Sequence, residues 1–388
     1  MDFSPSQTQQ SIGDAIDAIM ADFGDDYWLA ADRDARFPEE FYQAVASGGW
    51  LGIAMPEAYG GAALGIADAA FMMQKIANSG GGMAAASSIH INIFGPHPIV
   101  VYGSDAQRAE WLPPLIKGTE KCCFGVTEPD AGLDTGMIRT TATPVPGGYR
   151  VNGQKIWTST AQVADKILLL ARTSAPDPKA RRTDGLTLFY TDLDRRQIEI
   201  REIAKMGRAA VDSNQIFIDD LMVPEGHRIG TEGKGFSYLL DSLNPERILI
   251  AAEALGIGQS ALRRAVDYAG SRIVFGRQIG QNQSIQHPLA ESWVELEAAE
   301  LLIAKAAYLY DCGQPAGGLA NAAKYFAAEA GFKAATQAVM TFGGMGYAKE
   351  YHVERLLRES LIPRLAPVSA QMVLNYIAER VLGLPKSY

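Results

Sequence analysis

The hydrophobic period of this chain changes twice, and the two changes bound what it can fold into. From residue 6 to 116 apolar side chains recur every three or four positions, with Ile12, Ile16, Ile19 and Phe23 on one helical face. Segments 36–47 and 66–77 repeat the pattern, and glycine clusters at 48–49, 60–61 and 80–82 punctuate it. Near residue 118 the character becomes strand-like. Runs at 166–172 (KILLLAR), 186–193 and 213–223 are rich in branched and aromatic residues, and 172–184 reads as a loop. An Asn-Gly step at 152–153, flanked by short runs, predicts a hairpin turn at that point. From about Gly233 the helical period returns, first through Phe236, Leu239, Leu240 and Leu243, then through Leu255, Leu262 and Val266. Two long helices are predicted over 293–310 and 319–342. The expected fold class is α+β and mostly α. It comprises an N-terminal helical domain over 1–117, a middle antiparallel β domain over 118–228 and a C-terminal helical domain over 229–388.

Composition removes several function classes. At 388 residues the chain exceeds a single small core. A net charge of −9 leaves no basic excess to neutralise phosphates, so no nucleic-acid partner is expected. The five histidines (His90, His97, His227, His287, His352) show no metal-ligand spacing, so no metal is expected. No G-x-G-x-x-G opens a helix after a strand, which argues against a Rossmann nucleotide site. No apolar run reaches the roughly 18 residues of a membrane span, and the polar N-terminus does not resemble a signal peptide. Three cysteines, two of them adjacent (Cys122, Cys123, Cys312), fit a reducing compartment, and a cytoplasmic location is expected.

Two strings carry the chemistry. FGVTEPDAGLDTG (124–136) packs Gly125, Gly132 and Gly136 around a Thr-Glu-Pro turn, where glycines allow close backbone approach to a flat or anionic ligand. NGQKIWTS (152–159) sets Trp157 two residues before Ser159, so on a strand an indole and a hydroxyl point at one object. In this order they resemble the acyl-CoA dehydrogenase family. The segments 102–121, 205–226, 271–286 (SRIVFGRQIGQNQSIQ) and 342–359 (FGGMGYAKEYHVERLLRE) extend the resemblance over nearly the whole chain. It implies a helical domain, a β domain and a C-terminal four-helix bundle. It also implies FAD, held by Phe124, Val126, Thr127 and Gly132 on one side and by Trp157 and Ser159 on the other. Arg272, Phe275, Gln283, Gly343 and Gly344 would reach the pyrophosphate and adenosine of FAD from a neighbouring subunit, making the protein a homodimer or homotetramer.

The implied reaction desaturates a thioester between Cα and Cβ. A carboxylate takes the α-proton while a hydride leaves for the flavin. Many family members carry that base near the C-terminus, where this chain has Ala366, and no acid lies between Glu359 and Glu379. Glu246, directly before Arg247, matches the placement in isovaleryl-CoA dehydrogenase-like members. Read from the residues alone, Glu246 is a first-turn helix residue with Asn244 as N-cap and Pro245 at N1. The matched flavin segments and the empty position 366 favour the shifted base. The backbone N–H of Ala366 is retained for the thioester oxygen, while Asn244, Arg247 and Leu365 fall on the substrate side. Leu365 stands where a Tyr commonly gates the flavin, which leaves room for a branched, cyclic or bulky acyl group. Leu133, Met340 and Val368 thin the polar contacts expected for FAD. The expected partners are acyl-CoA and an acceptor such as electron-transferring flavoprotein. Alternatives are an acyl-carrier-protein thioester as substrate, a flavin monooxygenase or oxidase on the same fold, and an inert homologue.

Overall fold

The computed structural model describes residues 4–176 and 178–387. Seven helices come first: α1 (Gln7–Met20), α2 (Asp25–Arg33), α3 (Glu39–Ser47), α4 (Ile66–Ile76), α5 (Gly82–Phe94), α6 (His97–Tyr102) and α7 (Asp105–Ile116). Ser6 and Ser104 start α1 and α7 with capping boxes closed by Gln9 and Gln107. The sheet follows: β1 (Cys122–Gly125), β2 (Thr141–Val145), β3 (Gly148–Ser159), β4 (Lys166–Arg172), β5 (Leu186–Asp192), β6 (Ile198–Glu202), β7 (Ser213–Pro224) and β8 (Arg228–Ile229). Its order is β6-β7-β3-β2-β4-β5-β8, with β1 paired to β4. Pairing is antiparallel except along β4, where β1 and one position of β2 run parallel to it. The unbroken apolar run of β4 has its cause in this layout. Leu168 and Leu170 pack with Trp111, Leu112 and Leu115 of α7, while Ile167, Leu169 and Ala171 enter a second core with Phe189 and Ile216.

The chain ends in α8 (Gly235–Ser271), the short hairpin β9 (Ile273–Val274) and β10 (Arg277–Gln278), α9 (Gln283–Asp311), α10 (Gly317–Phe342), α11 (Val353–Ser360), α12 (Ile362–Leu365) and α13 (Ala370–Tyr376). The helices α8, α9 and α10 pack on one another, and α4 and α5 pack on α8. N- and C-terminal helices therefore share one core, in which Ile16, Met73, Ile76 and Ile89 meet Leu249, Leu255 and Ala334.

Two local expectations are corrected. The Asn152-Gly153 step does not turn, because β3 runs straight through it with a register shift between Val151 and Gly153. A Cβ on Gly153 would stand 2.4 Å from Thr140 Oγ1, so the glycine marks a bulge where two backbones approach closely. The turn falls instead at 146–147, between β2 and β3. The second correction concerns α8, which begins at Gly235 and continues through Pro245, so Asn244 is not an N-cap. Pro245 deprives the Asp241 carbonyl of its helical donor, a cost of about 3 kcal/mol. Ile248 and Leu249 are fully buried just beyond it, and each contributes about 1.5–3 kcal/mol by burial. Packing outweighs the break.

Candidate active site

The turn after β1 is shaped by a buried ion pair. Lys155 Nζ donates to Glu128 Oε1 at 2.9 Å and to the Val126 carbonyl at 3.1 Å. Glu128 also accepts from the Arg139 and Thr140 N–H groups at 2.7 and 2.9 Å, and from the Thr140 hydroxyl. Burial pushes the Glu128 carboxyl up, but the Lys155 charge and these donors outweigh it and hold it below its ordinary value. A carboxylate so saturated is a structural anchor and not a base. The Ile156 N–H donates to the Thr127 carbonyl at 2.9 Å and ties the turn to β3.

Beyond Lys155 the pairing of β3 with β7 slips again, and Trp157 takes a left-handed backbone (φ 61°). Trp157 and Ser159 still reach one cavity, although the slip and not the strand alternation aims the indole there. Thr160 (φ 62°) and Arg208 (φ 56°) are also left-handed, a costly arrangement for residues with a Cβ.

The cavity has a volume of about 430 Å³, within the range of small-molecule sites. Its sheet wall is Phe124, Val126, Thr127, Gly132, Trp157 and Ser159, and its helical wall includes Leu239, Leu240, Leu243, Glu246, Arg247 and Ile250 of α8. The indole of Trp157 is 57% exposed, and a Cβ on Gly132 would meet nothing within 4 Å. A bare aromatic plane, an open glycine turn and the hydroxyls of Thr127 and Ser159 suit a planar ring with a polar edge.

Glu246 lies opposite. It is buried, and its Oε2 is a buried oxygen without a hydrogen-bond partner. Burial pushes its carboxyl up to about 7, with Glu253 adding to the rise and His90, Arg247 and Lys324 opposing it. His90, on α5, also lines the cavity, and its Nδ1 sits 2.5 Å from Glu253 Oε1. Burial lowers the imidazole, but the Glu253 carboxylate prevails and holds it above the usual histidine range. Lys324 of α10 is drawn down to about 8 by burial and donates to the Val368 carbonyl at 2.6 Å. It thereby fixes the loop that follows α12.

Ala366, Pro367 and Val368 close that end of the cavity. The Ala366 N–H is donated to the Ile362 carbonyl at 2.9 Å, so in this conformation it is not free for an oxyanion, contrary to the expectation from sequence. Leu365 is 70% exposed and does not line the cavity, because α12 turns it outward. Asn244 is not part of the wall either, and accepts from Arg247 Nη1 at 3.3 Å. A second groove, sharing no wall residue with the first, brings together Arg272, Gly343 and Gly344 with Tyr268 and Phe342. Phe275 at the tip of the β9–β10 hairpin is fully exposed, and neither it nor Gln283 lines the groove.

Four charged residues of the site escaped the sequence reading: His90, Arg208, Glu253 and Lys324. A lone histidine in the apolar helix SSIHINIF was the one signal for His90. Arg208 lies within the resembling segment 205–226 without being singled out there, and Glu253 and Lys324 lie in alanine-rich helix stretches with no motif around them. Among the described residues no helix is long and apolar enough to cross a membrane.

Comparison with known proteins gives the family. Three family models match in order: acyl-CoA dehydrogenase N-terminal domain at residues 6–119, middle domain at 123–221 and C-terminal domain at 233–382. The acyl-CoA dehydrogenase FadE12 of Mycobacterium tuberculosis is 36% identical over 100% of this chain and 99% of its own length. The caffeyl-CoA reductase-Etf complex subunit CarC of Acetobacterium woodii is 32% identical over 84% of this chain and 86% of its own. The solved butyryl-CoA dehydrogenase of Megasphaera elsdenii superposes with a TM-score of 0.93 at 29% identity, covering 98% of this chain and 100% of that one. The chain belongs to the acyl-CoA dehydrogenase family of flavin-dependent oxidoreductases.

Proposed function

We propose that this protein catalyses the FAD-dependent α,β-desaturation of an acyl-CoA thioester, with Glu246 as the base. The observation that carries the reading is Glu246 itself, a buried carboxyl on the cavity wall with an unpartnered oxygen and a proton affinity placed near neutral pH. A base works best when it is ionised yet still takes up a proton readily at the working pH. Glu246 takes the α-proton, and the hydride leaves Cβ on the side of Trp157 and Ser159. The two losses leave the new double bond, and FAD bound there supplies the hydride acceptor. Phe124, Val126, Thr127, Gly132, Trp157 and Ser159 hold the ring. For the thioester oxygen to be held at Ala366, its N–H must leave the Ile362 carbonyl, a rearrangement at the end of α12.

The acyl chain lies along Leu239, Leu240, Leu243, Ile250 and Met372, an apolar surface with small side chains at its Ala366 end. That shape, and likeness to a caffeyl-CoA reductase subunit, supports a branched, cyclic or bulky acyl group. The same relative belongs to a complex with Etf, which supports electron-transferring flavoprotein as the acceptor. The groove at Arg272, Gly343 and Gly344, with Phe275 exposed nearby in sequence, supports a homodimer or homotetramer whose subunits share FAD.

The test is anaerobic bleaching of the bound flavin by a panel of acyl-CoAs, with wild type and Glu246→Gln side by side. Loss of a general base costs about 10²–10⁴-fold. Equal rates for the two proteins remove Glu246 from the mechanism. Bleaching by acyl-carrier-protein thioesters alone replaces CoA as the carrier.

A further inference from the structure

Arg208 lies in the loop between β6 and β7 and lines the cavity on the side of Trp157 and Ser159. Its Nη2 donates to Ser159 Oγ at 3.0 Å and to Ser213 Oγ at 2.9 Å. Its Nε is buried without a partner. Guanidinium nitrogens donate and never accept, so both serine oxygens are the acceptors in these bonds. A serine hydroxyl has a single hydrogen. With Arg208 as its donor, Ser159 must send that hydrogen elsewhere, and no acceptor for it is found among the described residues. The cavity is the open direction.

We propose that Arg208 is a positioning residue of the flavin seat, which fixes the Ser159 hydroxyl as a hydrogen-bond donor toward the ring and places a cation behind it. The proposal rests on the flavin reading of the cavity. Burial lowers the proton affinity of the guanidinium and Asp212, Glu359 and Glu253 oppose that lowering, while Lys205 and His90 are the cations close enough to feel its charge. A donor backed by a cation stabilises the negative charge that arrives with a hydride, and does so without reorganising. The pair therefore raises the reduction potential of the bound flavin. The left-handed backbone of Arg208 fits this role, since such conformations cluster where a side chain must be aimed.

The test uses the FAD-loaded protein and reads its midpoint potential by equilibration with redox dyes, its visible spectrum and its FAD affinity. Arg208→Met, Ser159→Ala and the double variant are compared with wild type. Arg208→Met is expected to shift the oxidised-to-reduced ratio at fixed potential about tenfold toward oxidised flavin, which is about 30 mV for a two-electron couple. Ser159→Ala should shift it in the same direction. The double variant should fall well short of the sum, since the arginine acts through the hydroxyl. Arg208→Lys keeps the charge and one donor and should recover part of the shift, and it carries the test should Arg208→Met fold poorly. A flavin-bound Arg208→Met protein with wild-type potential and spectrum, an Arg208→Lys protein shifted as far as Ser159→Ala, or fully additive shifts, overturns the proposal alone. Wild-type protein that takes up no flavin overturns the reading of the cavity and the proposal with it.

Discussion

Glu246→Gln should cost the protein its activity and gain it stability, with a gain that depends on pH. The carboxyl rises from 4.5 to about 7 on folding, chiefly through burial. That rise corresponds to about 3 kcal/mol between the two protonation states. The folded state binds the proton more tightly than the unfolded chain. The favourable protonated state is fully present below pH 4.5 and is lost as pH rises through 7, so the wild type weakens over that window. Glutamine imitates the neutral acid and carries no such dependence. Relative to wild type, the variant should gain less than about 1 kcal/mol at pH 5 and about 3 kcal/mol at pH 8. Urea unfolding followed by tryptophan fluorescence at both pH values reads the difference directly. At a slope of about 3 kcal/mol/M, the gap between the two midpoints should widen by several tenths of a molar from pH 5 to pH 8. A gap that stays constant with pH, or narrows, refutes the argument that Glu246 is a buried carboxyl held near neutrality for function.

Other perturbations follow from the same geometry. Wild-type flavin reduction by acyl-CoA should rise about tenfold from pH 6 to pH 8 as Glu246 ionises. His90→Asn removes a cation facing Glu246 from α5, leaving Arg247 and Glu253 on α8 and Lys324 on α10. Stopped-flow bleaching should then show the inflection at higher pH. Lys155→Met strands the Glu128 carboxylate and should destabilise by about 3–5 kcal/mol, with weaker FAD uptake measured by equilibrium dialysis. Gly153→Ala forces a Cβ against Thr140, including its backbone Cα at 2.7 Å. A stability loss of about 1–3 kcal/mol is expected in denaturant unfolding.

Much of this protein is legible from sequence because it depends on neighbours along the chain. Periods of three to four and of two place the helices and strands. Glycine and Thr-Glu-Pro chemistry places the turn at 124–136, strand alternation points Trp157 and Ser159 at one object, and the family resemblance adds Glu246 and Ala366 to the same ligand. Failures arise where distant packing overrides a local rule. Asn152-Gly153 is a sound turn signal, yet Thr140 presses on that strand and the glycine serves a bulge. Pro245 is a sound helix start, yet the buried residues on either side carry α8 through it. Leu365 occupies the expected position in the sequence and still faces outward, because a single turn of helix sets its direction.

What the sequence determined by itself was the order of elements, the flavin-type turn and the presence of one unclaimed acid at 246. Tertiary structure alone decided what that acid is. His90 and Glu253 are 163 residues apart and meet at 2.5 Å, Lys324 comes from a third helix, and the shared helical core removes water from around Glu246. Desolvation and the field of neighbouring charges depend on distance through space. No local pattern encodes them, and they set the proton affinity on which the proposed chemistry depends.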